Sequence, residues 1–142
     1  MQASFTCVGG GRVKIIFMSV LKVGIVGFGH LGQYLYTQIV GSTTHEVAFV
    51  WNRTADKIVE FGVPQNLILA DLDGVKNVGN VDIIVEVAHP DITRTYGELF
   101  LSVADYFVGS PTIFADAEVD TKLRYCPFPP SFIDTQKTCI DR

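Results

Sequence analysis

Short apolar runs alternate with segments of helical periodicity along most of the chain. The runs predict strands, and apolar residues recurring every three or four positions predict helices. Strands are predicted at residues 20–26, 46–51, 67–70, 82–87 and 106–108, of which 67–70 is the weakest. Helices are predicted at residues 30–40, 56–61, 91–104 and 116–124. This alternation predicts an α/β fold, a doubly wound parallel sheet with helices on both faces and right-handed crossovers.

The two ends of the chain depart from this alternation. Residues 1–17 are predicted to be an unstructured extension ahead of Met18, which resembles a natural start. Residues 18–125 form the predicted domain. Residues 126–142 are predicted to be an irregular tail, because three prolines between positions 127 and 130 are incompatible with a sheet ladder. The sheet is then incomplete at its C-terminal edge, and its last strand is an exposed apolar edge open to a partner.

Composition places the chain among globular intracellular proteins. Hydrophobic residues make up 48% and charged residues 18% of its 142 residues, enough for one compact core. A formal net charge of -4 argues against a nucleic-acid partner. The spacing of Cys7, Cys126 and Cys139 fits neither a zinc site nor a redox pair, which favours a reducing compartment. Lys22 ends the apolar run 15–21, so neither a signal peptide nor a membrane span is predicted. We therefore expect a cytoplasmic protein.

A glycine-rich loop lies between the first predicted strand and the first predicted helix. The loop consists of Gly27, Phe28, Gly29, His30, Leu31 and Gly32. Gly27 permits the tight turn, Gly29 lets the backbone approach a pyrophosphate, and Gly32 lets the helix pack close to the strand. The helix N-terminus then presents free N–H groups to phosphate. This placement predicts a Rossmann domain that binds NAD or NADP.

The second predicted strand is followed directly by Asn52, Arg53 and Thr54. Domains specific for NAD place a carboxylate at this point, roughly 20 residues after the glycines, to hold the ribose 2′-hydroxyl. Asn52 has no charge, and the Arg53 guanidinium fits a 2′-phosphate, so NADP is accepted in this interpretation. Arg53 as a solvated loop residue is the alternative. Trp51 flanks the adenine or, as we favour, packs in the core.

Two further strand ends lie at the expected ligand edge of the sheet. Ala88, His89 and Pro90 follow the fourth strand, where they should border the ribose or nicotinamide. His89 either contacts ribose or substrate, or caps the following helix, and the sequence leaves both open. Gly109 and Ser110 follow the fifth strand and are either nicotinamide neighbours or a plain turn. No catalytic residue and no metal site is predicted.

Four motifs, at residues 23–32, 49–53, 85–90 and 108–111, together resemble the animal aspartate dehydrogenase domain-containing family. The resemblance covers roughly residues 20–124. It implies NAD(P)-dependent oxidation of a small-molecule substrate, L-aspartate, to iminoaspartate, which hydrolyses to oxaloacetate and ammonia. In microbes the imine can feed NAD synthesis.

The same resemblance also limits what is expected of this chain. Family members have a second domain that supplies the catalytic histidine and a homo-oligomer interface, and no position here matches that histidine's motif. Three hypotheses follow: the cofactor half of an enzyme, a non-catalytic NAD(P)-binding module or truncated isoform pairing with another subunit, or a chain that does not fold stably.

Overall fold

A computed structural model describes residues 20–125 in full and the backbone of residues 3–4, 16–17 and 132–134. Met18 and the three cysteines lie outside the described residues. The strands are β1 (Ala3–Ser4), β2 (Ile16–Phe17), β3 (Leu21–Val26), β4 (His45–Trp51), β5 (Ile83–Glu86), β6 (Asp105–Val108) and β7 (Phe132–Asp134). The α-helices are α1 (His30–Val40), α2 (Asp56–Glu60), α3 (Pro90–Leu101) and α4 (Ala117–Arg124). Shorter 3-10 helices span Gln65–Leu67, Leu72–Asn77 and Pro111–Ala115.

The central sheet is parallel throughout, with strand order β4-β3-β5-β6-β7. The strand order reverses beside β3, which pairs with β4 on one side and β5 on the other. Such a reversal opens a crevice at the carboxyl ends of the two inner strands. The Rossmann-like doubly wound fold predicted from the sequence is confirmed.

Helices cover both faces of the sheet. On one face, Phe28 and Ile58 join a buried cluster beneath α1 and α2. On the other face, a second buried cluster includes Phe100 from α3 and Leu123 from α4. Because both faces are buried, the central strands are almost entirely apolar, as expected for a parallel sheet. No helix in the described part of the chain combines the length and apolarity that a membrane span needs.

The strand predicted at residues 67–70 is reduced to a single bridge. A 3-10 helix, Gln65–Leu67, follows Pro64, and only Ile68 then pairs with Val50. Leu69 adds one backbone hydrogen bond, donating to the Val50 carbonyl at 2.9 Å. The prediction placed this segment correctly beside β4 but was wrong about its conformation. The helical turn uses the residues that a longer ladder would need.

The chain ends also differ from the prediction. β7 pairs with β6 in parallel, Tyr106 opposite Phe132 and Val108 opposite Asp134, so β6 is not the exposed edge that was expected. The prediction of an irregular tail was therefore wrong at residues 132–134. The reason is local, because the prolines precede Phe132–Asp134 in the sequence and none lies within it. Likewise, β1 and β2 form an antiparallel pair in the segment expected to be unstructured.

Candidate cofactor site

A cleft of about 270 Å³ opens where β3, β4 and β5 end. This is the crevice beside the reversal of strand order, where open α/β sheets bind ligands. The residues lining it are Gly27, Phe28, Gly29, Trp51, Asn52, Arg53, Thr54, Lys57, Val87, Ala88, His89 and Ile92. Two of these side chains, Arg53 and Lys57, are cationic, and none is a carboxylate. The lining therefore favours an anionic ligand.

The glycine loop forms one wall of the cleft. Gly27 has φ +107°, and a side chain there would collide with Ala88. A side chain on Gly32 would collide with the carbonyl oxygen of Gly27, so α1 packs against the loop only with glycine at this position. Gly29 instead faces open space and is the N-cap of α1, without a capping side chain. The first N–H groups of α1 therefore remain available to phosphate, and the loop fits a dinucleotide.

Asn52 ties the glycine loop to the end of β4. Its Oδ1 accepts a hydrogen bond from the backbone N–H of Phe28 at 3.0 Å. Its Nδ2 donates to the carbonyl oxygen of Thr54 at 2.9 Å. A carboxylate here would make only the first of these bonds, since it has no N–H to donate. The neutral amide thus holds both loops while leaving the site without a negative charge.

The Phe28 side chain is fully buried beneath the loop. Its ring makes edge-to-face contacts with Tyr36 and Phe61, with centroids 5.8 Å and 5.3 Å apart. Its backbone N–H is occupied by Asn52. Phe28 was predicted from the sequence to be a cofactor contact, and the structure shows that its side chain also supports the loop from the core side.

A lysine side chain that was not predicted from the sequence also lines the cleft. Lys57, on α2, lines the same cleft as Arg53, and both side chains are exposed. Neither forms an ion pair within the part of the chain that the structure describes. The available signal was spacing, because Lys57 follows Arg53 by four residues at the start of a short helix. Trp51 is half-buried, and it both packs against the core and lines the cleft.

The opposite wall is formed by the residues after β5. Ala88 and His89 line the cleft. The Nδ1 atom of His89 accepts a hydrogen bond from the backbone N–H of Asp91 at 3.3 Å, so this residue does cap α3. Its side chain is 67% exposed and stays accessible to a ligand. Capping and ligand contact are thus compatible at this position.

Six of the residues predicted for the site do not line the cleft. They are His30, Leu31, Gly32, Pro90, Gly109 and Ser110. His30 and Leu31 are exposed in the first turn of α1, and Pro90 begins α3. Gly109 and Ser110 form hydrogen bonds to Glu86, the first through its backbone N–H and the second through its hydroxyl.

Glu86, at the end of β5, is a buried carboxylate that the sequence analysis also missed. Its Oε1 accepts from the Ala88 backbone N–H at 2.6 Å and from the Ser110 hydroxyl at 3.2 Å. Burial raises the pKa of Glu86 above its ordinary value, and the hydrogen bonds from Ala88, His89 and Ser110 oppose that shift. The signal in the sequence was a single carboxylate closing the apolar strand Ile83–Glu86.

Residues 27–126 match the family model described as the NAD-binding domain of homoserine dehydrogenase. The chain belongs to this family of NAD-binding domains. Its glycine loop and carboxylate-free cleft agree with that membership. The cofactor predicted from the sequence, NAD or NADP, is confirmed.

The particular relatives agree with the resemblance seen in the sequence. The chain is 49% identical over 107 residues to the aspartate dehydrogenase domain-containing protein of Xenopus tropicalis, and 46% identical over 107 residues to that of Danio rerio. Each alignment covers 73% of this chain, but only 37% and 38% of those proteins. The structure of Thermotoga maritima aspartate dehydrogenase shares the fold, with a TM-score of 0.53 and 21% identity over 79% of this chain and 45% of that one.

Proposed function

We propose that this chain is the cofactor-binding part of an NAD(P)-dependent L-aspartate dehydrogenase. The observation that carries the proposal is the cleft at the reversal of strand order, with an uncapped α1 N-terminus and no carboxylate in its lining. The names of its relatives support aspartate as the small-molecule substrate. A cytoplasmic location fits cysteines without disulfide or metal spacing.

In the proposed reaction, L-aspartate loses a hydride from Cα and a proton from its amino group to give iminoaspartate. Water then hydrolyses the imine to oxaloacetate and ammonia. The oxidised nicotinamide supplies the hydride acceptor, as is general for this cofactor. Where the imine is withdrawn before hydrolysis, the same reaction supplies a precursor for NAD synthesis.

The residues of the chain have separate tasks in this proposal. The first N–H groups of α1 bind the pyrophosphate, and Gly29 leaves the space for its approach. Ala88 and His89 border the nicotinamide ribose. Gly109 and Ser110 support that wall from behind, through their hydrogen bonds to Glu86. No residue of this chain is assigned to proton transfer at the substrate.

Arg53 and Lys57 favour NADP over NAD in this proposal. A 2′-phosphate carries close to two negative charges, and both cations lie in the wall where the adenosine ribose is expected. Because both side chains are exposed, each contact is worth about 1 kcal/mol, roughly a fivefold change in affinity. Asn52 stands where domains specific for NAD have a carboxylate, so no negative charge repels the 2′-phosphate at this position.

Cofactor binding is tested by titrating the 142-residue chain with NADPH and with NADH. Trp51 is the only tryptophan of the sequence and lines the cleft, so energy transfer from it to the nicotinamide reports binding at this site. Saturable binding is expected, tighter for NADPH. Arg53→Ala should weaken NADPH and leave NADH unchanged, while Lys76→Ala, an exposed cation outside the cleft, should change neither. If the chain bound neither NADPH nor NADH, the proposal would be refuted.

Substrate identity needs a separate measurement. L-aspartate-dependent reduction of NADP⁺ is followed for the chain and for a full-length relative, with D-aspartate and L-glutamate as controls. Turnover by the relative with L-aspartate, but with neither D-aspartate nor L-glutamate, supports the proposed specificity. Turnover by the chain itself would exclude the binding-module hypothesis, whereas nucleotide binding without turnover would support it.

A further inference from the structure

Glu86 is the only carboxylate that is fully buried within residues 20–125. Burying a charge without a cation is costly unless hydrogen bonds compensate for the lost hydration. The side chains and backbone groups that face this carboxylate come from α3, from β6 and from the loops after β5 and β6, and no cation is among them. Tyr106 is the one titratable side chain among these groups. An isolated buried carboxylate therefore needs an explanation.

The carboxylate joins two loops through a single oxygen. Oε1 accepts from the backbone N–H of Ala88, after β5, and from the hydroxyl of Ser110, after β6. Oε2 accepts from the Thr93 hydroxyl of α3 at 3.4 Å, and that hydroxyl lies 2.8 Å from the Tyr106 hydroxyl. The two loops and α3 are thus all held by one side chain.

The position of these loops relates them to one half of the ligand. A dinucleotide lies across the reversal of strand order, with its adenosine ribose beside the end of β4. Arg53 and Lys57 lie on that side of the cleft. The nicotinamide half is then left to the opposite wall, where Ala88 and His89 line the cleft.

We propose that Glu86 is a positioning residue that holds the loops after β5 and β6 at the spacing required by the nicotinamide half of the cofactor. This assignment rests on the cofactor site proposed above. Ala88 carries the effect to the cleft, because its backbone N–H is fixed by Glu86 and the residue itself lines the cleft. The adenosine half is held by the glycine loop and β4, and the hydrogen bonds of the Glu86 side chain go instead to Ala88, Thr93 and Ser110.

The test compares a whole cofactor with its adenosine half. Dissociation constants for NADPH and for 2′,5′-ADP, which lacks the nicotinamide, are measured for the wild-type chain, Glu86→Ala and Glu86→Gln. Glu86→Ala should lower the affinity for NADPH by about tenfold, because the Ala88 N–H loses its partner. The affinity for 2′,5′-ADP should change by less than about twofold. Glu86→Gln should bind NADPH almost as the wild type does, because the amide oxygen accepts from Ala88 and Ser110.

A second variant covers the case in which Glu86→Ala does not fold. Ser110→Ala removes the hydroxyl that donates to Oε1 and leaves the backbone hydrogen bonds that Ala88 and Ser110 make to the carboxylate. It should weaken NADPH by about threefold and leave 2′,5′-ADP unchanged. Equal losses for both ligands in these variants would assign Glu86 a general structural role and overturn the proposal, as would unchanged NADPH affinity in a folded Glu86→Ala. Failure of the wild-type chain to bind either ligand would instead refute the cofactor site itself.

Discussion

Gly29→Ala separates the stability of the domain from its affinity for a dinucleotide. The added methyl group would have no neighbour within 4 Å, and φ -75° with ψ -165° is accessible to alanine. Alanine is a poorer N-cap than glycine by roughly 0.5–1 kcal/mol. Its lower entropy in the unfolded chain restores about 0.4–1 kcal/mol. The two effects nearly cancel, so the free energy of unfolding should change by less than about 0.5 kcal/mol.

The same methyl group occupies space that a bound pyrophosphate needs. Displacing the phosphate from α1 weakens charge-assisted hydrogen bonds worth about 1.5–3 kcal/mol each, so NADPH affinity should fall at least about tenfold. Urea denaturation measures the first quantity and nicotinamide fluorescence the second. Gly32→Ala is the contrasting variant, because its methyl group meets the Gly27 carbonyl and should destabilise the fold itself by about 1–3 kcal/mol. Unchanged NADPH affinity in Gly29→Ala would refute the assignment of this loop to phosphate.

Three further perturbations test the packing around the site. Burial raises the pKa of Glu86 above 4.5, so its contribution to stability is greatest below that value and is lost as the pH rises through the folded pKa. As the pH rises through the folded pKa, the unfolding free energy of the wild type, measured by urea denaturation, should therefore fall relative to that of Glu86→Gln. A difference between the two proteins that does not depend on pH would contradict this. Asn52→Ala leaves the Phe28 N–H and the Thr54 carbonyl without their partner. It should cost about 1–3 kcal/mol and weaken NADPH and NADH equally, and selective loss of one nucleotide in the titration would show a direct contact. Phe28→Ala should cost about 3–5 kcal/mol in thermal or urea unfolding, with Phe28→Leu less affected, and a loss below about 1 kcal/mol would argue against its place in the core.

The first half of the fold could be predicted because local signals agree there. The helix predicted at residues 30–40 has the observed bounds His30–Val40, since Gly29 and Gly41 mark both of its ends. β3 and β4 were predicted to within one residue at each end, because apolar runs bounded by polar or glycine residues have few alternatives.

The predictions that were wrong depended on short segments. Whether residues 67–70 form a ladder or a single bridge is decided by the turn after Pro64, and a weak apolar run contains no information on that turn. For β7, the whole tail was predicted to be irregular because proline is excluded from sheet ladders. That exclusion applies only at the positions where the prolines stand. Three residues without proline were enough to extend the sheet.

The site shows a similar division between local and tertiary information. The glycine loop and the ends of β4 and β5 were visible in the sequence, because each follows directly from a strand. Glu86 was not, because its partners Thr93 and Ser110 lie 7 and 24 positions away and meet only in the folded sheet. Lys57 reaches the cleft because the short helix α2 begins just after Thr54, which periodicity alone could not establish.

The lining of the cleft also explains why binding and turnover are separable properties. All of its residues lie between Gly27 and Ile92, within the part that matches the NAD-binding family. Its titratable side chains are Arg53, Lys57 and His89, of which the first two lie on the adenosine side in our assignment. Oxidation of an amino acid also requires a group that takes the proton from the amine, held close to the substrate. In this lining only His89 lies on the nicotinamide side in our assignment. Its Nδ1 accepts the capping bond from Asp91, and the exposed ring stays accessible to a ligand. His89→Ala should therefore reduce any aspartate turnover, and turnover unaffected by this variant would require a proton acceptor outside this cleft.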